Sequence, residues 1–281
     1  MSKIKEIMGV STKSNGCDWD KIIRSQRCPY LGKKCLKTRK SKPEVAIGTC
    51  TVEYGSDTKN VIICPHRLLE RKQIFIDCLH LLQLHTPGNE LHVVPEVSIP
   101  GGSVDYFLIS TDSNRKIADF VGIELQTIDT TGSVWPERQK LLQELNISGA
   151  RIVKEKSYGM NWKMTAKTIL MQLHHKIRTF ESLNKHLVLI VQNCLIDYIR
   201  KEFAFENVSD NARLGDSMHF HSYELREDNL SYKLVLSARY STDSNGISRL
   251  LGLNADSNVN FEAIASQLEM KISDETLLSL G

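Results

Sequence analysis

Three polar side chains interrupt otherwise apolar segments: Asp105 in "SVDYFLIS", and Glu124 and Gln126 in "FVGIELQT". Residues two apart on a strand share a face, so Glu124 and Gln126 point together, away from Ile123 and Leu125. If the two segments pair as a hairpin, Asp105 meets them across the ladder. Glu96, in "VVPEVSI", is placed to join them from a third strand. Carboxylates gathered at one spot repel each other and are costly to bury unless a cation compensates. An oxygen-seeking dication such as Mg2+ provides that compensation. Such an ion polarises a phosphodiester, orients a water and lowers its pKa. The plain alternative is a set of strand-borne acids facing solvent, and short motifs of this type produce many false matches.

The second set of residues with chemistry is sulfur-bearing. Of seven cysteines, Cys17, Cys28, Cys35, Cys50 and Cys64 crowd the front of the chain and Cys78 follows closely. Cys194, in "LVLIVQNCLIDYI", reads as a small buried hydrophobe. Cys28, Cys35, Cys50 and Cys64 are spaced C-x6-C-x14-C-x13-C, with glycine or proline beside three of them. Four thiolates suit a tetrahedral Zn2+ or Fe site. The first 65 residues bury too little apolar surface to fold unaided, which also calls for a staple. The alternative is four unrelated buried thiols.

Elements to position these residues follow from periodicity. "PHRLLERKQIFIDCLHLLQLH" has the spacing of an amphipathic helix ending near Pro87-Gly88. "ELHVVPEVSI", "SVDYFLIS" and "IADFVGIELQT", separated by "PGG" and "TDSNRK", predict an antiparallel meander. "PERQKLLQEL" is a short helix with Pro136 suited to its first position. A long helix is predicted from about Trp162 to Phe180, with its Leu, Met and Ile in the core. "HLVLIVQ" is a strand apolar enough to be covered on both faces. "CLIDYIRKEF" is a helix, "LSYKLVLSARY" a strand and "NFEAIASQLEM" a last amphipathic helix. The fold class expected is α/β (mixed α+β): a central mixed sheet flanked by helices, behind a small metal-stapled cysteine module. The boundary falls at 65, giving segments 1–65 and 66–281.

The order "VDYFLI … VGIELQT" resembles the nuclease core that carries an Asp on one strand and Glu-x-Lys on the next. With the cysteine-bearing front, the chain resembles the NotI-like type II restriction endonucleases. The resemblance spans the front cysteines, "IELQTIDTTGSV", "GMNWKMTAKTIL" and "LVLIVQNCLIDYI"; beyond about residue 210 it carries nothing specific. It implies that Asp105, Glu124 and the backbone carbonyl of Leu125 bind Mg2+; Glu96 is expected to assist from its place on the neighbouring strand, outside what the resemblance implies. Gln126 stands where the core has lysine. A glutamine takes no proton at neutral pH but can orient a water, so activation falls to the metal and the general base stays open. It implies Fe in the Cys28, Cys35, Cys50 and Cys64 site, where the ligand set alone equally allows Zn2+. Residues 66–281 would be the catalytic domain and 1–65 a DNA-contacting module. The implied activity is Mg2+-dependent hydrolysis of double-stranded DNA at a palindromic site by a homodimer, with a cognate DNA methyltransferase in the same system. The rival readings are a sequence-specific DNA-binding protein with an inactive core and a structure-selective repair nuclease.

Charge distribution agrees with an anionic partner. The net charge is +3, yet residues 1–75 hold sixteen of the 36 Lys and Arg and seven of the 33 Asp and Glu. Lys33, Lys34, Lys37, Arg39, Lys40 and Lys42 crowd between the first and third cysteines of the set and could neutralise phosphates; a solvated loop reads equally well. Lys163 and Lys167, on the outer face of the long helix, are further candidates for DNA backbone contact. Glu70 could reach the metal site from the first helix but is expected to be a surface charge paired with neighbouring Lys or Arg, and the histidines of "HFHSYE" to sit on an ordinary strand. No apolar run is long enough for a bilayer and the start has no signal-peptide core, so a cytoplasmic location and no membrane partner are expected.

Overall fold

The computed structural model describes residues 2–55, 59–147, 150, 153, 158–253, 266 and 270. Of the predicted helix over 260–270 only Ser266 and Met270 are described, the Met270 amide donating to the Ser266 carbonyl at 3.1 Å; the rest lies outside the described residues.

The front of the chain is built from short strands. β1 (Ile4–Ile7) and β2 (Val10–Ser11) precede helix α1 (Trp19–Ser25). Two small hairpins follow, β3 (Arg27–Cys28) with β4 (Lys33–Lys34), and β5 (Thr38–Arg39) with β6 (Lys42–Ala46). β7 (Thr49–Tyr54) and β8 (Lys59–Ile62) complete a four-stranded sheet of order β2-β1-β7-β8.

Residues 65–82 depart from the predicted single helix. A 3-10 segment over Pro65–Lys72 breaks at Glu70 and Arg71, four-residue α2 (Gln73–Ile76) follows, and a second 3-10 turn spans Leu79–Leu81. The break is conformational, because Arg71 and Lys72 both adopt positive φ. The apolar residues of the pattern are still used: Leu68, Leu69, Ile74, Phe75, Leu81 and Leu82 are buried in one cluster with Val121, Ile123, Val188 and Ile190. The spacing thus reports a buried face correctly, and the chain reaches that face by successive turns.

The predicted meander is present as β9 (Glu90–Ile99), β10 (Gly102–Thr111) and β11 (Ile117–Gln126). They form one side of a mixed six-stranded sheet, order β16-β15-β14-β11-β10-β9. A minor ladder pairs β12 (Thr130–Thr131) with β13 (Gly159–Met160), on either side of α3 (Trp135–Glu144). α4 (Trp162–Ser182) is the predicted long helix. β14 (His186–Gln192), buried at every position, runs parallel to β11 and to β15 (Met218–Asp228). β16 (Ser231–Thr242) pairs antiparallel with β15. α5 (Asn193–Glu202) and α6 (Ser244–Leu250) pack with α4 in a core that also includes Ile4, Ile7, Val52 and Val61 of the front sheet. The central sheet is therefore covered by α4, α5 and α6 on one face and by the 65–82 turns on the other. This is the mixed α/β architecture expected from the sequence.

Two local features matter below. The turn between β9 and β10 packs under α4: Gly101 has φ +97°, and a Cβ there would lie 2.2 Å from the His175 carbonyl oxygen. Only glycine fits such a backbone at such an approach. At the outer edge of the sheet, β9 carries Pro95, followed by Glu96 with φ +53°.

Candidate active site

Alternation sends every second residue of β11 toward α4. Phe120 and Gly122 lie there, against Phe180, and Glu124 continues the row. On β10 the matching row is Phe107 and then Asp105. The two strands are in register through Tyr106 and Ile123, so Asp105 and Glu124 occupy the next facing positions. On the other side of β10, Val104 pairs with Val97 and Tyr106 with Pro95, which sets Glu96 opposite Asp105. The three predicted carboxylates thus occupy neighbouring positions on neighbouring strands.

Their environments differ. Glu124 is 4 % exposed, Asp105 is half-buried and Glu96 is exposed at the rim. Burial pushes the Glu124 carboxyl up to about 7; Lys176 opposes that shift and the charge of Asp105 adds to it. The Tyr106 phenol is likewise raised, first by burial and then by Asp105 and Glu96. One oxygen of Asp105 is fixed by the Leu125 backbone amide, at 2.8 Å. That hydrogen bond, donated by the N–H, is what the structure gives for Leu125, which the resemblance assigns a role through its carbonyl. The Gln126 side chain is half-buried and donates to the Thr127 carbonyl at 2.6 Å.

Sequence reasoning missed one residue here. The Lys176 ammonium lies 2.7 Å from Glu124 Oε1, and both side chains are buried. Lys176 falls on the inward stripe of α4, with Thr165, Ala166, Ile169, Leu170, Leu173, Ile177 and Phe180. It is the one charged residue of that stripe. A lysine at a core-facing position of an amphipathic helix was the available signal, because a charge there needs a partner. Gly102 makes room for it: a Cβ at that position would lie 3.1 Å from Lys176 Cε. Lys163 and Lys167 are exposed on the same helix, as expected.

The four cysteines are all buried. Cys50 and Cys64 form a hydrogen-bonded pair, which together with His66 and Lys37 lowers the Cys64 thiol to about 4. The Cys50 thiol is raised well above its ordinary value, first by its bond to Cys64 and then by burial. Cys28 is raised by burial, with smaller contributions from Cys64 and Cys35. Backbone amides of Leu31 and Tyr30 point to the Cys28 sulfur and that of Gly9 to Cys50. Amides aimed at sulfur favour thiolates, and a sulfur-only donor set suits Zn2+ or Fe. Among the described residues, no group of three or more His, Cys, Asp or Glu side chains is arranged to hold a metal ion. The hard oxygens of Asp105 and Glu124 are chemically suited to Mg2+, as two donors rather than a full coordination set.

The remaining candidates resolve as follows. Lys33, Lys34, Lys40 and Lys42 are exposed, whereas Lys37 and Arg39 are half-buried. Lys37 donates to the Ile63 carbonyl, and Arg39 stacks 4.5 Å from the Trp135 ring centre. Glu70 pairs with Arg67 at 3.1 Å and accepts the Leu234 amide, so it is tied to β16. His219 and His221 are buried on β15; burial lowers them to about 4 and about 2. His221 Nδ1 lies 3.7 Å from Cys78 Sγ. A cavity of about 470 Å³, lined in part by Arg213, Asp216 and Arg249, opens at the start of β15, away from Asp105 and Glu124.

Compared with protein-family models and with curated proteins, the chain matches none. Among the described residues, no helix is long and apolar enough to cross a membrane.

Proposed function

We propose that the chain is a Mg2+-dependent endonuclease of the type II restriction class, hydrolysing phosphodiester bonds of double-stranded DNA. The observation that carries this reading is the facing placement of Asp105 and Glu124 on β10 and β11. Asp105 and Glu124 would hold the metal, which when bound supplies Lewis-acid polarisation and an activated water. Lys176 holds one Glu124 oxygen, and the Leu125 amide holds one Asp105 oxygen. Gln126 positions water by hydrogen bonding and Glu96 assists from the rim. The exposed lysines of β4 and of the β5–β6 hairpin, with Lys163 and Lys167 of α4, would meet phosphates. An open sheet rim, rather than an enclosed cavity, suits a long duplex. The cysteine front would hold Fe or Zn2+ as a structural staple. A homodimer would present one site to each strand of a palindrome, and a methyltransferase would protect the host sequence.

The test is incubation of plasmid DNA with the purified protein and Mg2+, followed by mapping of the cut ends. Cleavage at one repeated sequence, abolished by Asp105→Ala and by Glu124→Ala with DNA binding retained, is the expected result. Wild-type protein that binds a specific sequence but never nicks it would establish the inactive-core reading, which the engagement of Gln126 with Thr127 favours. Cutting that follows DNA shape and ignores sequence would establish a repair nuclease. Elemental analysis of the same preparation, finding neither Fe nor Zn, would remove the metal from the cysteine front.

A further inference from the structure

We infer that Lys176 is a positioning residue of the metal site: from α4 it aims Glu124 and supplies the positive charge that Gln126 lacks. This rests on the nuclease reading above. Three independent observations carry it. First, the Lys176–Glu124 contact is short, at 2.7 Å, and both partners are removed from water. An ion pair between buried side chains loses much hydration, so it persists only where the geometry holds it in place. Second, the surroundings are shaped to admit the lysine stem. Gly101 and Gly102 leave the turn without side chains directly below His175 and Lys176. Third, the lysine contact is to Glu124 Oε1, while Asp105 Oδ2 on the facing strand accepts the Leu125 amide at 2.8 Å, so each carboxylate of the pair has one oxygen held by the protein. A fixed carboxylate has lost its rotamer freedom before the metal arrives. Partners that orient a ligand in this way set both metal affinity and rate.

A plainer role is possible for such a lysine: a counter-ion standing where the dication would go. The two roles predict opposite effects on metal binding. If Lys176 orients Glu124, removing it weakens binding; if it only fills the cation's place, removing it tightens binding.

Full-length Lys176→Met, Lys176→Arg and wild-type protein should be titrated with Mn2+ in the absence of DNA, by calorimetry. The same proteins should be assayed for single-turnover plasmid cleavage and for DNA affinity in Ca2+. Lys176→Met is expected to bind Mn2+ roughly 10–100-fold more weakly and to cut at least about 100-fold more slowly. Its DNA affinity should be unchanged, and Lys176→Arg should recover most of the loss in both. Mn2+ binding that is unchanged or tighter in Lys176→Met, or cleavage at the wild-type rate, overturns the inference. If the methionine variant does not melt cooperatively, Lys176→Gln, which keeps a donor without the charge, is judged by the same criteria. Wild-type protein that never cuts refutes the nuclease reading and this inference with it. Wild-type protein that cuts as well as Lys176→Met does refutes the inference alone.

Discussion

Burial decides which side chains in this protein keep their charge. Burial pushes the Glu124 carboxyl up and Lys176, 2.7 Å away, opposes that shift, whereas His219 and His221 are kept neutral by burial on β15. The histidines have a pH signature. His219 has its folded value lowered from 6.5 to about 4, so its neutral form stabilises the fold fully above 6.5. That contribution is lost as pH falls through about 4, because the unfolded chain takes the proton first. Urea unfolding at pH 7, 5.5 and 4 should show wild type losing about 3 kcal/mol more than His219→Gln across this window. Equal losses would mean that the imidazole is solvated. At this scale the sequence was informative where side chains alternate along a strand, which is how Asp105, Glu124 and Glu96 could be grouped. For Lys176 it offered a charge on a core-facing stripe but no partner, because Glu124 is fifty-two residues away in sequence and meets it only through the packing of α4 on β11.

Elements read well where one periodicity governs them. β9, β10, β11 and β14 follow from alternation and from a wholly apolar run, and α4 from its repeating inward stripe. The 65–82 segment did not, because positive φ at Arg71 and Lys72 has no signature in side-chain polarity. What positions the site at this scale is the seating of the β9–β10 turn against α4. Gly101→Ala should displace that helix, since its Cβ would overlap the His175 carbonyl and its backbone would be strained as well. A loss of about 1–3 kcal/mol is expected from strain of this kind, read as a lowered denaturation midpoint together with reduced cleavage. A variant of unchanged stability and activity would show that the turn can move freely without consequence. Gly16→Ala, where a Cβ meets nothing within 4 Å, is the matching control for positive φ alone.

At the scale of the whole molecule, one arginine joins the parts. Arg67 is fully buried; it bonds Glu6 of β1 at 2.9 Å and the Tyr232 carbonyl of β16 at 3.0 Å, pairs with Glu70, and lies over the Tyr30 ring. Gln192 at the end of β14 also bonds the Ile62 amide and the Asn60 carbonyl of β8. These contacts predict one calorimetric transition for the front and the central sheet. Arg67→Met should cost about 3–5 kcal/mol, because Glu6 would stay buried without its partner; two separated transitions in wild type would contradict the joint. None of this was legible from composition, since the basic front reads as a separate module until the partners of Arg67 are seen. The outer margin of the sheet has a consequence of a different kind. A ten-residue border segment is an open invitation for molecules to stack rim to rim into aggregates. β9 meets that hazard with Pro95, which offers no amide, and with Glu96, whose left-handed backbone breaks the line and leaves a charge at the break. The same acid that sits beside the carboxylate pair would thus also keep the protein dispersed when it is concentrated.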